Sequence, residues 1–272
     1  MARAIIDAYN VMDCQVMNVG ANDLAGGTAF IKEMQAKANF PFISSNIKLK
    51  DAEENLFQPY LIKEMNGLKI GFVGVCSPVL RLNEFEFKDP VESVEAIVNE
   101  IEEKVDLLVV LANVDDKTEL ALAETITDID FLIRSKSGSL YRNPKSVGNV
   151  TVIRNGKQGK FAGILSIKMN DTEKPLVNIS REMSRIDFAN KRLETMRKDL
   201  KKGETLEEKY KDNKSRMNVL NRLKSEKEKN RKIIKTHENT FFYNPRSLND
   251  AIEDEPEVAA IVEVYMPKTN SE

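Results

Sequence analysis

The chain has 272 residues, with 41 lysines and arginines set against 43 aspartates and glutamates and a single histidine. That length can bury one large core with room for a second small unit, and the net charge of -2 gives no whole-chain electrostatic reason to expect nucleic acid or an anionic membrane as a partner. The two cysteines, Cys14 and Cys76, stand far apart in apolar stretches and suit neither a disulfide framework nor a zinc site, and no run of about 18 apolar residues offers a membrane span.

In chain order, the opening MARAIIDAYNVMD reads as an amphipathic helix. It lacks the continuous apolar stretch and small-residue cleavage site of a signal peptide, so the sequence as it stands is expected to be cytoplasmic, and exported only if the true start lies upstream. The stretch VMNVGANDLAGG (Val16 to Gly27) has the shape of a catalytic loop with little of the chemistry one needs. PFISSNI (Pro41 to Ile47) reads as a short strand. LKIGFVGVCS (Leu68 to Ser77), after the turn Asn66-Gly67, and VDLLVVLANV (Val105 to Val114) read as buried strands. Between these two, Asp89 to Lys104 reads as a helix with an Asp cap and Pro at its first position, carrying Val91, Val94, Ile97, Val98 and Ile101 on one face. A further helix and the strand DIDFLI (Asp128 to Ile133) follow, and then Val150 to Met169 reads as two strands joined by a glycine-containing turn. Strands alternating with helices in this way predict an α/β domain.

From about Ile179 the composition shifts to long charged helix broken at Gly203. Spacings of three and four connect Leu193, Met196 and Leu200 before the break and Leu206, Tyr210, Met217 and Leu220 after it, a narrow apolar seam. An antiparallel hairpin and a coiled coil with another chain would both bury that seam. A last helix is expected in DEPEVAAIVEVYM, capped by Asp254 and packed back onto the molecule through Val258, Ile261, Val262 and Tyr265. The expected divisions are 1-175 for the α/β domain, 176-238 for the charged helices and 239-272 for the C-terminal segment.

Taken together, IIDAYNVMDCQVMNVGANDLAGG, FPFISSNI, PYLIKEMNGLKIGFVGV, VDLLVVLANVDD, DIDFLIRSKSGS and VTVIRNGKQGKFAGILSI resemble, in order, the metallophosphatase (calcineurin-like phosphoesterase) domain of the bacterial 5'-nucleotidase family. The resemblance covers about residues 1 to 170. It implies a layered α/β/β/α sandwich, incomplete at the N-terminus, because the family's Asp-x-His and Gly-Asp motifs would lie upstream of Met1. The family loop Gly-Asn-His-Glu-Phe-Asp-x-Gly keeps its end glycines as Gly20 and Gly27, but its metal-binding Asn falls on Ala21 and its His on Asn22, with the acid kept as Asp23. The family's next His falls on Asn113, and its Gly-His-x-His falls on Arg134, Ser135, Lys136 and Ser137. The strands implied upstream leave the sheet short, so a second copy, a separate protein partner or an upstream segment is expected to complete it, with LKIGFVGV left open to pairing.

Chemistry argued from the residues alone points the same way. Two-metal phosphoester hydrolysis needs a cluster of His, Asp and Asn ligands, whereas the lone His237 sits at a helix end. Asp23, Asp115 and Asp116 could offer oxygen ligands to a hard ion, although helix capping by Asp115-Asp116 and a turn at Asp23 explain the same letters. Arg134 and Lys136, with neighbouring serines, could hold a phosphate. Haem is excluded by the lack of Cys-x-x-Cys-His, and KSEKEKNRK, with interleaved glutamates and no aromatic residue, reads as a solvated helix face, so no nucleic-acid partner is expected. The expected function is a catalytically inactive metallophosphatase-like protein, without cofactor, acting through protein-protein interaction. The alternatives are a weak metal-dependent phosphoesterase and a non-hydrolysing nucleotide- or phosphate-binding module.

Overall fold

The computed structural model describes residues 1-79, 81-136 and 138-266. The chain divides into two compact units, Met1-Ala162 with the C-terminal segment from Ser247, and Gly163-Arg246. These divisions differ from the sequence boundaries at 175 and 238 because the long strand after residue 160 pairs with a strand near residue 240, and the final helix returns to the first unit.

The first unit opens with helix α1 (Ala2-Val11), strand β1 (Met17-Asn18), helix α2 (Gly27-Lys37) and strand β2 (Phe42-Ile43), which runs parallel to β1. Strand β3 (Ile47-Leu49) follows, then the hairpin of β4 (Tyr60-Met65) and β5 (Leu68-Cys76). Its turn residues Asn66 and Gly67 both have left-handed φ, 52° and 81°, as a two-residue hairpin turn requires. PFISSNI is thus two strands and not one, separated by the buried Ser44, Ser45 and Asn46. The Asn46 side chain explains the break. Its Oδ1 accepts from the Cys76 N–H at 3.0 Å and its Nδ2 donates to the Cys76 carbonyl at 2.7 Å, so an amide side chain replaces a strand neighbour there.

Strand β6 (Phe85-Phe87) pairs with β3, and helix α3 (Pro90-Ile101) follows. Asp89 caps it by accepting from the Val91 and Glu92 N–H groups, as its sequence predicts. Strand β7 (Leu107-Asn113), helix α4 (Asp116-Thr125), strand β8 (Phe131-Arg134), strand β9 (Lys145-Val147) and strand β10 (Val150-Arg154) complete the main sheet, in the order β4-β5-β7-β8-β10-β9. β5, β7, β8 and β10 are mutually parallel, and antiparallel β4 and β9 close the two edges. The apolar run of β7 lies between two layers. Val94, Val98, Ile101 and Leu122 from α3 and α4 pack on one face, and on the other β1, β2, α1 and α2 enclose Val19, Leu24, Ile31, Met34 and Phe42. Gly74 fixes the approach of that second layer, since a Cβ there would lie 2.7 Å from both Asn18 Oδ1 and the Ile43 carbonyl.

The strand expected to lie open to pairing, LKIGFVGV, is instead bonded on both sides by β4 and β7. The reading of Val150 to Met169 as a paired hairpin is also corrected. β10 pairs with β8 and β9, turning at Gly148-Asn149, while β11 (Phe161-Lys168) joins a different sheet.

In the second unit, β11 lies beside β13 (Thr240-Ser247), which in turn pairs with β12 (Val177-Asn178). Between β12 and β13 stand the helices α5 (Ser180-Arg197), α6 (Leu206-Tyr210) and α7 (Lys214-Lys235). Gly203 turns the chain with φ +85° and Thr205 forms a capping box with Glu208. The seam residues close on one another inside this unit: Leu193, Met196, Leu206, Tyr210 and Leu220 are buried in one cluster, with Leu200 and Met217 at its margin. The hairpin alternative therefore accounts for the seam within one chain.

Helix α8 (Pro256-Tyr265) packs on α1, and the Tyr265 hydroxyl donates to Asp7 Oδ2 at 2.9 Å. Its cap position is Glu255 and not Asp254, and it carries no side-chain capping bond. Among the described residues no helix is long and apolar enough to cross a membrane.

Candidate functional site at the C-terminal edge of the parallel strands

Parallel strands bring their C-terminal ends to one edge of a sheet, which is where open α/β folds build sites. Here β5 ends at Cys76-Ser77, β7 at Asn113 and β8 at Arg134-Ser135, and the loop after β1 brings Gly20 and Ala21 to the same edge. Asn113 is the hub. Its Nδ2 donates to Ser135 Oγ at 2.9 Å, and its Oδ1 accepts from the Ala21 N–H at 3.5 Å and from the Cys76 thiol at 3.8 Å. Gly20 is required beneath it, because a Cβ there would lie 2.8 Å from Asn113 Cγ. Three of the positions singled out in the sequence, Ala21, Asn113 and Ser135, therefore meet. Asn22 instead joins Asp23, Ile6, Met17, Phe30 and Phe42 around a mostly apolar cavity of about 90 Å³. Ser137 lies outside the described residues.

The three carboxylates do not converge. Asp23 Oδ2 closes its own loop by accepting from the Gly20 N–H at 2.8 Å. Desolvation raises this carboxyl above the usual range, and the Gly20 bond offsets part of the rise. Asp115 caps α4 through the Thr118 N–H at 2.8 Å, the bond that chiefly holds its carboxyl below the usual range. Asp116 turns to Arg134 and Arg154, and its hydrogen bond with Arg134 lowers it too. Among the described residues no group of three or more His, Cys, Asp or Glu is placed to hold a metal ion. The donor set of the described residues does not fit the two-metal centre that the resemblance implies, and Asp23, Asp115 and Asp116 are not brought together as oxygen ligands.

Arg134 is buried, with 5% of its side chain exposed, and each of its three nitrogens has a protein partner. Nε donates to the Val114 carbonyl at 2.8 Å, Nη2 to the Lys136 carbonyl at 3.0 Å, and Nη1 to Asp116 and, at 3.3 Å, to Glu119 Oε2. Arg154, its register partner on β10, donates to both Glu119 oxygens at 2.8 and 2.5 Å and stacks 4.8 Å from the centroid of the Tyr141 ring. Two arginines opposite each other on paired strands repel, and Glu119, 9% exposed at the side chain, neutralises them. This structural role replaces the phosphate contact expected of Arg134. Sequence reasoning missed Glu119. The available signal was that FLIR and VTVIR both end in arginine while α4 carries acids at 116 and 119.

Lys136, in contrast, is exposed and has no ion-pair partner among the described residues. It lies near enough to Asp115 and Cys76 to lower the pKa of both, although burial still pushes the Cys76 thiol up to about 11, where it is inert at neutral pH. Among the described residues the edge thus presents the Lys136 ammonium, without an ion-pair partner, beside a hydroxyl, an amide and a capped helix end.

No family model matches the chain. It is 26% identical over 182 residues to the uncharacterized metallophosphoesterase YunD of Bacillus subtilis, covering 64% of this chain and 39% of that protein. It is 29% identical over 126 residues to the 2',3'-cyclic-nucleotide 2'-phosphodiesterase/3'-nucleotidase of Salmonella typhimurium, covering 40% of this chain and 20% of that one. Among solved structures, a 5'-nucleotidase precursor from Thermus thermophilus superposes with a TM-score of 0.56 at 22% identity, over 62% of this chain and 39% of the other. The calcineurin-like phosphoesterase YfkN from Bacillus subtilis gives 0.53 at 20% identity, over 62% of each chain. These structures establish the fold, and the chain spans about two fifths or less of the two curated relatives' length.

Proposed function

We propose, from the chain's similarity to metallophosphoesterases and 5'-nucleotidases, that its function is recognition of a phosphate monoester of the nucleotide class at the Asn113, Ser135 and Lys136 edge. The observation that carries this reading is Lys136, an exposed cation with no ion-pair partner among the described residues, set among polar groups at the strand ends. Its ammonium would donate charge-assisted hydrogen bonds to the phosphoryl oxygens, with the Ser135 hydroxyl and the Asn113 amide orienting them. The relatives are named for phosphoester and nucleotide chemistry, which favours this reading over a silent protein acting only through contact with other proteins. The same names support a second reading, metal-dependent hydrolysis, in which the ligands come from outside the described residues.

Calorimetry with AMP and with inorganic phosphate, in the presence of a chelator, separates the two. Lys136→Gln is expected to weaken AMP binding by about tenfold or more, the worth of a hydrogen bond to a charged group. Equal affinity for the variant would dismiss the site. A manganese-dependent rate above background in the unsubstituted chain would favour the hydrolase reading.

A further inference from the structure

The near-neutral total hides a segregation of charge. Residues 163-246 carry 22 lysines and arginines against 13 aspartates and glutamates, a net of +9, and the rest of the chain carries 19 against 30, a net of -11. Within the basic unit, α5 turns Ala189, Leu193 and Met196 toward α7. Phe188 points away from that seam and keeps 64% of its surface exposed. Residues three, four and seven positions away share a helix face with it. Here they are Arg181, Ser184, Arg185, Lys191, Arg192 and Thr195, which makes four cations, two hydroxyls and no acid. The ion pairs of this unit join other residues, Lys174 with Asp171 and Glu238, Lys209 with Asp199, Lys224 with Glu207 and Arg231 with Glu228. Among the described residues none of the four cations around Phe188 has such a partner.

We propose that this face of α5 binds single-stranded nucleic acid, with a base stacked on the Phe188 ring and the flanking phosphates held by Arg185, Lys191, Arg192 and Arg181. An exposed ring framed by cations is the combination that sequence-tolerant single-strand binding uses. Paired bases are closed to such a ring, which sets duplex aside. A helix that lies in a membrane surface needs a broad apolar stripe, whereas Leu193 and Met196 of α5 are committed to the hairpin core and Ile186 is buried. The sequence expectation of no nucleic-acid partner rested on the whole-chain net charge of -2 and on KSEKEKNRK in α7, where glutamates interrupt the charge and no aromatic is present. The aromatic stands on α5 instead.

The test uses the full chain and fluorescein-labelled oligothymidylate and oligouridylate, followed by anisotropy at about 50 mM salt, with log affinity falling against log salt at a slope of about -3 for four neutralised phosphates. Phe188→Ala is expected to weaken binding about tenfold and Phe188→Trp to restore it. The Arg185→Gln, Lys191→Gln double variant should weaken binding and flatten the slope by about 1.4. The proposal fails if the native chain does not bind at that salt, if Phe188→Ala binds as well as the native chain, or if duplex competes equally. It also fails if the ring proves necessary for sedimentation with phosphatidylserine vesicles and irrelevant to the oligonucleotides. Since the ring is exposed, unchanged circular dichroism of each variant is expected and keeps loss of fold apart from loss of binding.

Discussion

Glu119→Leu destabilises the first unit by about 3–5 kcal/mol, because it leaves the buried guanidinium of Arg134 and the partly buried one of Arg154 facing each other with only the largely exposed Asp116 between them. For a unit of this size the melting temperature falls by on the order of 10 °C. The loss comes from stranding charge and not from deleting attraction, so replacing all three partners with apolar residues of similar volume, Arg134→Met and Arg154→Met with Glu119→Leu, should recover much of the stability. A calorimetric melt of the single variant shifted by less than about 2 °C would show that the ion network contributes little.

Leu220→Asp unfolds the helical hairpin. Leu220 has no exposed surface and sits where α5, α6 and α7 meet, so the substitution places a carboxylate with no partner in that core at a cost of about 3 kcal/mol or more. The helices α5 and α7 contribute 18 and 22 residues, which makes the expected loss of far-ultraviolet helical signal large, and limited proteolysis should open first between residues 180 and 235. If the signal is retained and the light scattering unchanged, the seam does not hold the hairpin together.

What the sequence conveyed about this fold was local. Asp89 followed by Pro90 marked a helix start because the capping bond and the fixed φ both act within four residues. Asn66-Gly67 marked a hairpin for the same reason, and the apolar runs of β5 and β7 could be nothing but buried. The partners were not local. Nothing in Val150 to Met169 says that β10 pairs with β8 while β11 pairs with β13 more than seventy residues away. The splitting of PFISSNI depended on Asn46 finding the backbone of Cys76.

The site was legible in location and less so in chemistry. The strand ends gave the edge, and Ala21, Asn113 and Ser135, the positions that the resemblance singled out, do meet. Arg134 and Lys136, adjacent but for one residue, looked alike as letters. Strand alternation would have put both on one face, but β8 ends at Arg134, which turns inward to Glu119 while Lys136 stays outside. Choosing between them required knowing that a second arginine lay opposite.

The opposite charges of the two sequence blocks, +9 and -11, also decide how the protein behaves as a solute. Such a chain is a blocky polyampholyte, whose average of -2 describes neither block. Near neutral pH it should be retained on both cation and anion exchangers, each through a different block. Unlike blocks on neighbouring molecules attract, so dilution into low salt favours clustering, and screening over about 10 Å at 0.1 M salt disperses it. Solubility that rises with added salt, the reverse of salting out, is the macroscopic trace of that segregation.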